Sequence, residues 1–337
     1  MRNQPLAGPI VIIASLAACA SRSAAQSYDF DWATIGDPGN AAYDDPYDGL
    51  LEGRGSVPYR YRISRLETTT AQWMEFVNTF STQSDDLAFF GRPSFWGATI
   101  DTSYDGPGRR YRLKSVDSAA FIPVHGIDWR EAAMFCNWLH NGKSSDMSAI
   151  EDGAYDASTF TLNDDGTFND QATHHPDARF WIPTLDEWAK AAHYDPDRHG
   201  PGRGGWWSYP DRSEDPLVPG LPGEGDTSAT LSFDGELIPL GAYPHAASPW
   251  GLLDLSGATM EWTEEVDFDH KSRWADGAPL YAESDWLLVD TIDQMSPMRP
   301  WIGGSWMGIR IVTVVPTPGV AGPLVLLSAY AGRRKRP

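Results

Sequence analysis

The sequence contains few cysteines and few basic residues, and each shortage excludes a class of protein. Its 337 residues include two cysteines, Cys19 and Cys136. Because Cys19 lies in a predicted leader, the mature body keeps one thiol and no internal disulfide is possible. Lysine and arginine total 26 against 46 aspartate and glutamate residues, which gives a net charge of −20. A nucleic-acid partner is therefore not expected, because binding the phosphate backbone needs a basic face.

Tryptophan, glycine and proline are abundant instead. The chain has 15 Trp, 32 Gly and 26 Pro, and 41% of its residues are hydrophobic. The apolar fraction is enough for a sizeable core, and the glycines and prolines favour a loop-rich fold with aromatic anchors over a helical bundle. Neither a solenoid repeat nor a compositional linker interrupts the body, so we expect one domain over residues 27–312.

Residues 1–26 have the pattern of an export signal. Arg2 is followed by an apolar run that ends at Ala20, and Ser23-Ala24-Ala25 gives a small-x-small cleavage site before Gln26. The alternative is that Leu16-Ala17-Ala18-Cys19 acts as a bacterial lipobox, with Cys19 as a lipidated N-terminus. Both alternatives predict an exported protein.

Residues 313–337 form a second distinctive segment. The stretch from Val315 to Gly319 contains two prolines and precedes an apolar run over 320–332 and a basic end over 333–336. The apolar run is short for a bilayer span, which needs about 20 residues. This arrangement resembles the PEP-CTERM sorting tail, with Thr317 in place of the usual Glu. A simple tail anchor is the alternative.

The resemblance to a PEP-CTERM tail implies how the protein is sorted and where it is located. Exosortase-type sorting machinery would recognise and cleave the tail, and the tail would anchor the chain in the membrane only transiently. The protein would then reach the cell surface, outer envelope or extracellular matrix of a Gram-negative-type bacterium.

Apolar periodicity and capping residues predict three helices in the body. In the first, Thr70 is the expected cap, and one face carries the apolar residues Trp73, Phe76, Val77 and Phe80. Asp128 with Glu131, and Thr184 with Glu187, have the spacing of capping boxes and predict the other two. Strands are predicted over 59–64, 179–182 and 237–243.

Two polar stretches invite a metal interpretation that the sequence does not favour. Residues 163–167 lack the acidic residue that would close a calcium loop, and Asp165-Gly166 predicts a hairpin turn there. His174 and His175 are adjacent, so in a strand they would face opposite sides and could not share a metal.

The stretch from Gly251 to Trp262 is the strongest candidate site. Ser256-Gly257 breaks it in the middle, and Asp254 and Glu261 place carboxylates on either side of the break. A tight irregular loop with converging oxygens suits a hard cation such as calcium. The alternative is an ordinary glycine turn between two core strands, with solvated acids.

Five blocks of the chain resemble the formylglycine-generating enzyme (sulfatase-modifying factor) family, in the order of that family. The blocks are Ile63 to Trp73, Pro123 to Leu139, Ile182 to Trp188, Gly251 to Trp262, and Gly303-Gly304-Ser305-Trp306. Together they span nearly the whole body.

The resemblance implies an α+β fold, the formylglycine-generating enzyme fold related to C-type lectins, which is loop-rich with small twisted sheets and a few helices. It also implies structural calcium. By position, the calcium ligands would be Asp254, Ser256, Gly257, Thr259 and Glu261, some of them through backbone carbonyls. Ala258 and Met260 depart from the Asn and Trp that are usual in the family's loop.

Copper, by contrast, is not expected. Members that make formylglycine oxidise a substrate cysteine with copper(I) and oxygen, and they hold the copper with a close pair of cysteines, since thiolates select Cu(I). That pair follows the Gly-Gly-Ser-x block, but here the block is followed by Met307-Gly308-Ile309-Arg310 and no cysteine. Cys136 stands alone on a predicted helix, where a buried, inert thiol is expected.

These observations leave three hypotheses for the function. The first is an exported, non-oxidase module that binds an unknown peptide or glycan or has a structural role. The second is an active formylglycine-generating-type oxidase or another metal-dependent enzyme of the family. The third is a lectin-like matrix protein in which Trp206, Trp207 and Trp274 stack on glycans; the alternative for these residues is burial in the core.

Overall fold

The computed structural model describes residues 30–44, 49–93, 96–231, 238–280, 291–292, 295–304 and 306–315. The predicted leader and the tail beyond residue 315 lie outside these ranges. Residues Ser27–Val315 belong to one compact unit. The domain boundaries at 26 and 312 stay predictions.

Two of the three predicted helices begin where their capping residues indicate. The helices are α1 (Thr70–Ser81), α2 (Trp129–His140), α3 (Ser148–Glu151) and α4 (Leu185–His193), with short 3₁₀ turns at Asp85–Leu87, Ala119–Phe121 and Ala157–Thr159. Asp128 and Thr184 close the two predicted capping boxes. The first helix differs by one residue, because its cap is Thr69, which exchanges hydrogen bonds with Gln72, and not Thr70.

The strands are short and form small sheets. In chain order they are β1 (Trp32–Ile35), β2 (Tyr61–Ser64), β3 (Ala98–Ile100), β4 (Tyr111–Leu113), β5 (Phe180–Trp181), β6 (Tyr194–Asp195), β7 (Gly205–Trp206), β8 (Met260–Val266), β9 (Arg273–Asp276), β10 (Ser296–Met298), β11 (Met307–Gly308) and β12 (Val312–Val314). Two sheets have four strands, in the orders β1-β2-β12-β5 and β10-β9-β8-β11, and the pairs β3-β4 and β6-β7 stand apart.

The register of the first sheet places its last strand between two early ones. Val312 lies opposite Ile63 of β2 and opposite Trp181 of β5, both in antiparallel pairs. In the second sheet, Met307 and Gly308 pair in parallel with Met260 and Glu261. The segment 309–311 therefore passes from one sheet to the other, which brings Arg310 beside the candidate loop.

Aromatic side chains fill the core, as the composition predicted. The predicted face of α1 is fully buried, and so are the rings of Trp129, Trp138, Trp188 and Trp262. Ring contacts join α1 to α2, with the centroids of Trp73 and Phe135 5.2 Å apart. Burying an aromatic side chain removes a large apolar area from water, so these contacts supply much of the stabilisation.

Two local predictions have different outcomes. The hairpin turn is confirmed, because Asn163 N donates to Thr167 O and Leu162 bridges to Phe168. The strand predicted over 237–243 is wrong for its described part, since residues 238–243 form loop and turn. Proline and glycine at 239 and 241 outweigh the apolar character there.

The α+β fold class is confirmed: small sheets alternate with few helices, and long loops connect them. Within the described ranges, no helix is long and apolar enough to cross a membrane.

Candidate functional site

The predicted loop leads directly into β8 and has an unusual backbone. Gly251, Asp254, Gly257 and Ala258 all have positive φ, at +79°, +57°, +91° and +53°. Such angles are costly for residues with a Cβ atom, so the surroundings must hold the loop in this shape. Gly257 N donates to Ala278 O at 2.7 Å, and Ala258 N donates to Ser228 Oγ at 2.8 Å.

Glu261 lies in β8 and accepts hydrogen bonds at both carboxylate oxygens. Arg310 Nε donates to Oε1 at 2.7 Å, and Trp188 Nε1 donates to Oε2 at 2.8 Å. Both Glu261 and Arg310 are fully buried. Arg310 also donates to the carbonyl oxygens of Arg65 and Leu253. The guanidinium therefore ties the end of β2, the loop and β8 together.

A further buried acid, Glu67, extends this cluster. Its two carboxylate oxygens accept from Thr259, from the backbone N at 3.2 Å and from Oγ1 at 2.8 Å. Burial raises the pKa of Glu67 well above its usual range; the charge of Glu261 raises it further, and Arg310 opposes the shift. Burial also raises the pKa of Glu261 and of Asp254. We call Glu67, Asp254, Glu261 and Arg310 the acidic cluster.

The other predicted ligands are bonded to neighbouring chain segments. Asp254 Oδ2 accepts from Gly241 N at 2.6 Å, and Ser256 Oγ donates to Thr227 Oγ1 at 2.9 Å. The structure thus brings Asp254, Thr259 and Glu261 to one region, and it adds Glu67 and Arg310, which sequence spacing did not indicate.

A pocket of about 270 Å³ opens beside the acidic cluster. Phe30, Leu66 and Phe121 supply apolar walls. The polar lining comprises Asp31, Ser64, Glu67, Thr69 and Gln72. A concave site with apolar walls and a few polar groups is the usual form of a small-ligand site.

A second cluster centres on His174, which the sequence analysis considered only as a metal ligand. Its Nδ1 lies 3.0 and 3.1 Å from the two carboxylate oxygens of Glu264, and its backbone N donates to Oε1 at 2.9 Å. The Tyr155 hydroxyl donates to the same oxygen at 2.5 Å. The imidazole stacks on Trp181, with centroids 4.5 Å apart.

The electrostatics of His174 follow from Glu264. Burial lowers its pKa, but the hydrogen bond and charge of Glu264 outweigh that effect, and the net result is a raised pKa. The adjacent His175 is exposed and accepts from Asp177 N at Nδ1. The two histidines do not converge, as expected for neighbours in the chain. No sequence spacing links His174 with Glu264, which are 90 residues apart.

The tryptophans considered for glycan stacking make protein contacts. Trp206 packs against Tyr43 and Tyr194, with centroids 5.8 and 5.1 Å apart. The guanidinium of Arg198 lies 4.3 Å from the Trp207 ring centroid. Trp274 is half-buried in β9. At least one face of Trp207 is therefore covered.

The model of the FGE-sulfatase family, described as a sulfatase-modifying factor enzyme 1-like domain, matches residues 38–317. The chain belongs to this family. No curated protein sequence matches it.

Solved structures also resemble the chain. CarF is 18% identical, with a TM-score of 0.47, over 86% of this chain and 100% of its own. Variable protein 1 of Treponema denticola is 14% identical, with a TM-score of 0.49, over 85% and 95%. PvdO from Pseudomonas aeruginosa is 14% identical, with a TM-score of 0.43, over 85% and 92%. At these sequence identities and TM-scores, the similarity to the three structures carries no argument about function.

Two of the predicted calcium ligands of this sulfatase-modifying-factor-like domain have side-chain oxygens that are bonded to other residues. Both carboxylate oxygens of Glu261 accept hydrogen bonds, from Arg310 and Trp188. The Thr259 hydroxyl, Oγ1, donates to Glu67. Among the described residues, no group of three or more His, Cys, Asp or Glu side chains could hold a metal ion. Arg310 supplies positive charge at this place instead. Calcium binding stays a prediction that metal analysis must test.

The one cysteine of the domain, Cys136, is also poorly suited to bind a metal ion. Cys136 lies in α2, is fully buried and is unpaired. Burial raises its pKa well above the usual value, which disfavours the thiolate that binds copper.

Proposed function

We propose that this chain is an exported, non-oxidase member of the sulfatase-modifying-factor family that serves as a binding module. One observation carries the proposal: the body has a single thiol, Cys136, enclosed in α2. The family's copper chemistry needs two thiolates that meet at one ion. A lone thiol with a raised pKa supports loss of that chemistry.

The sequence termini support export to the surface. The leader over 1–26 and the PEP-CTERM-like tail over 313–337 would route the chain through exosortase-type machinery, with the tail as a transient anchor. In this proposal the folded body is displayed at the cell surface or in the matrix, and its ligand is a peptide, a glycan or a smaller molecule.

An oxidation assay tests the proposal. The purified body, loaded with Cu(I) under air, is mixed with a peptide that contains Cys-x-Pro-x-Arg, and mass spectrometry follows the cysteine. We expect no formylglycine, whereas an active family member run in parallel should convert the peptide. Conversion by this chain would overturn the proposal, and repeating the assay with Cys136→Ala would show whether the thiol is involved.

The His174–Glu264 pair favours a second candidate, an enzyme that uses proton transfer. A carboxylate on Nδ1 fixes the ring and its tautomer, which leaves Nε2 as the proton acceptor. Within the described residues Nε2 has no hydrogen-bond partner and is not enclosed, while the Glu264 side chain is only 2% exposed. The same relationship orients histidines that act as general bases.

Hydrolysis of p-nitrophenyl acetate tests this second candidate. Water would give a proton to Nε2 as its oxygen bonds to the acyl carbon, and p-nitrophenolate would leave with the bonding electron pair. His174→Gln should then lose the activity and the neighbouring exposed variant His175→Gln should keep it. Equal rates for both variants would remove this candidate.

A further inference from the structure

Phe268 is the most exposed large hydrophobic side chain in the described part of the chain. It is 91% exposed, whereas the next two, Val218 and Phe89, are 58% and 57% exposed. It lies in the turn between β8 and β9, residues 267–272, which we call the hairpin tip. Because the ring makes almost no contact with its own chain, its apolar area stays in water, and burying it against a partner is favourable.

Hydrogen bonds hold the backbone of the hairpin tip on both sides of Phe268. Asp267 N donates to Ser272 O at 2.8 Å, and His270 N donates to Asp267 O at 2.9 Å. His270 O in turn accepts from Phe168 N, in the neighbouring hairpin, at 3.1 Å. The ring of Phe268 therefore projects from a fixed turn, and burying it costs little additional ordering of the chain.

The pocket described above has the size and the lining to receive such a ring. Phe30, Leu66 and Phe121 form apolar walls around about 270 Å³. An apolar cavity of about 150 Å³ is enough to hold benzene, so a phenyl side chain fits with space left for the neighbouring backbone. Phe121 is 54% exposed, so apolar surface is open to solvent here as well.

The hairpin tip and the pocket lie at opposite ends of β8. Glu67, one of the residues that line the pocket, accepts two hydrogen bonds from Thr259, the residue before β8 begins. Phe268 lies two residues after β8 ends at Val266. The seven residues of β8 span about 20 Å, at about 3.3 Å each. Phe268 therefore does not reach the pocket of its own chain, but Phe268 of a second copy can enter it.

The geometry points to head-to-tail association, in which Phe268 of one copy inserts into the pocket of the next copy. The two surfaces differ, so the contact is heterologous and leaves one hairpin tip and one pocket free at the ends of each assembly. Further copies add at these ends, and the product is an open chain of copies. Since the contact is small, the association is weak and depends on concentration.

Charged groups beside the two surfaces are complementary. The hairpin tip carries Asp269 and Lys271, both exposed. At the pocket, the Asp31 side chain is 73% exposed and lies 3.5 Å from Arg65, in a loose pair. Each surface thus presents one charge of either sign, so Lys271 can pair with Asp31 and Asp269 with Arg65 across the contact. These pairs favour one orientation of the two copies.

Sedimentation velocity measures the association. Residues 27–315 are used, because they form one compact unit without the predicted leader and tail. The net charge of −20 makes any two full chains repel, so the buffer contains about 0.15 M salt, which screens charges beyond about 8 Å. Wild type should sediment faster as its concentration rises. A wild type that stays monomeric at every concentration would overturn the proposal and leave both surfaces to other partners.

Variants place the contact. Phe268→Ala should weaken the association about tenfold or more, the effect of losing one buried phenyl group. Ala71→Trp should do the same, because Ala71 lines the pocket and a larger side chain fills it. Phe89→Ala is the matched control, since Phe89 is 57% exposed but lies outside both surfaces. An equal loss in Phe89→Ala, or no loss in Phe268→Ala, would contradict the proposed contact.

A mixture of the two variants tests the head-to-tail arrangement. Phe268→Ala keeps its pocket, and Ala71→Trp keeps its exposed ring. Each variant alone should therefore be monomeric, and an equimolar mixture should form dimers that grow no further. If mixing produces no heavier species, the arrangement is wrong. Circular dichroism confirms that both variants are folded.

Disulfide trapping gives a second measurement. Lys271→Cys and Asp31→Cys chains of residues 27–315 are mixed and oxidised; the native thiol of this unit, Cys136, is buried. The mixture should form cross-linked dimers in higher yield than either variant alone, and adding Phe268→Ala to the Lys271→Cys chain should lower the yield. Equal yields in all samples would mean random collision and would overturn the assignment.

This inference goes beyond the proposed function and does not rest on it. The formylglycine assay and the sedimentation measurement report different properties of the same folded unit. Absence of association leaves the non-oxidase proposal intact, and formylglycine production leaves the association to be measured.

Discussion

The Nε atom of Arg310 lies 2.7 Å from Oε1 of Glu261, and the two side chains are 0% and 1% exposed. This contact joins the segment between β11 and β12 to β8. Because Arg310 also donates to the carbonyl oxygens of Arg65 and Leu253, one guanidinium holds three parts of the chain together. Its loss would leave a buried carboxylate and several carbonyls without their donor.

We therefore predict that Arg310→Met destabilises the protein by about 3–5 kcal/mol, the usual cost of breaking a buried ion pair by removing one partner. Chemical denaturation measures the change. Glu75→Gln is the matched control, because Glu75 pairs with Lys143 and is 51% exposed at its side chain. That variant should lose less than about 1 kcal/mol. Similar losses for both would show that burial of the Arg310 pair contributes little.

The contact between Arg310 and Glu261 also leads to a prediction about the removal of metal ions. Since Arg310 and Trp188 satisfy both oxygens of Glu261, we expect a chelator to leave the melting temperature unchanged. Thermal unfolding with EDTA, with and without added calcium, measures this, together with elemental analysis of the untreated protein. A lower melting temperature in EDTA that calcium restores would support the predicted calcium site at Asp254 to Glu261, because a ligand bound only by the native state stabilises it.

Local signals in the sequence predicted the parts of the fold that depend on neighbouring residues. Asp128 with Glu131 and Thr184 with Glu187 are three residues apart, so their capping boxes can be recognised without tertiary information. The first cap was misplaced by one residue, because Thr68, Thr69 and Thr70 follow each other. Gln72 selects Thr69, because it completes a capping box three residues later, whereas Ala71 and Trp73 stand at that spacing from Thr68 and Thr70.

The candidate site could not be predicted in the same way. Thr259 meets Glu67 across 192 positions, and Arg310 meets Glu261 across 49. These contacts arise because short strands such as β11, with two residues, place distant segments side by side. A two-residue strand has no periodicity to detect. The resemblance to a family located the loop, but the partners of its carboxylates are a tertiary property.

We predict that His174 stabilises the fold most at low pH. Its pKa is raised above 6.5 in the folded state, so its contribution is complete below about pH 6.5 and is lost as the pH rises through the folded pKa. The stability difference between wild type and His174→Gln should therefore be larger at pH 5.5 than at pH 8.5. Urea denaturation at both pH values measures it.

His175→Gln controls for the loss of an imidazole from the same loop. His175 is exposed, so this variant should lie close to wild type at both pH values. A pH-independent loss in His174→Gln would mean that stacking on Trp181, and not the charge pair with Glu264, is what His174 contributes.

We predict that Cys136 resists thiol reagents in the native protein. The thiol is fully buried, and burial raises its pKa, so both access and thiolate formation are suppressed. A chain that begins at residue 27, without Cys19, should release no thionitrobenzoate from Ellman's reagent until urea is added. Rapid native labelling would contradict the enclosed thiol and weaken the non-oxidase proposal.

Gly257 provides a test of the loop itself. A Cβ atom at this position would lie 2.5 Å from Ser228 Oγ and 2.9 Å from Ser228 N, and φ is +91°. Gly166 also has a positive φ, +82°, but a Cβ atom there would meet nothing within 4 Å. The two glycines therefore share the backbone cost of substitution and differ only in the close approach.

Gly257→Ala should consequently destabilise the protein by more than Gly166→Ala. The unfavourable backbone angle alone costs about 1–3 kcal/mol at each position. The clash with Ser228 adds to that at residue 257, because Ser228 Oγ cannot move without losing the hydrogen bond from Ala258 N. Parallel urea titrations of the two variants measure the difference. Equal losses would mean that the loop moves away from Ser228 at little cost, so the acidic cluster would not depend on the rigid backbone that leads into β8.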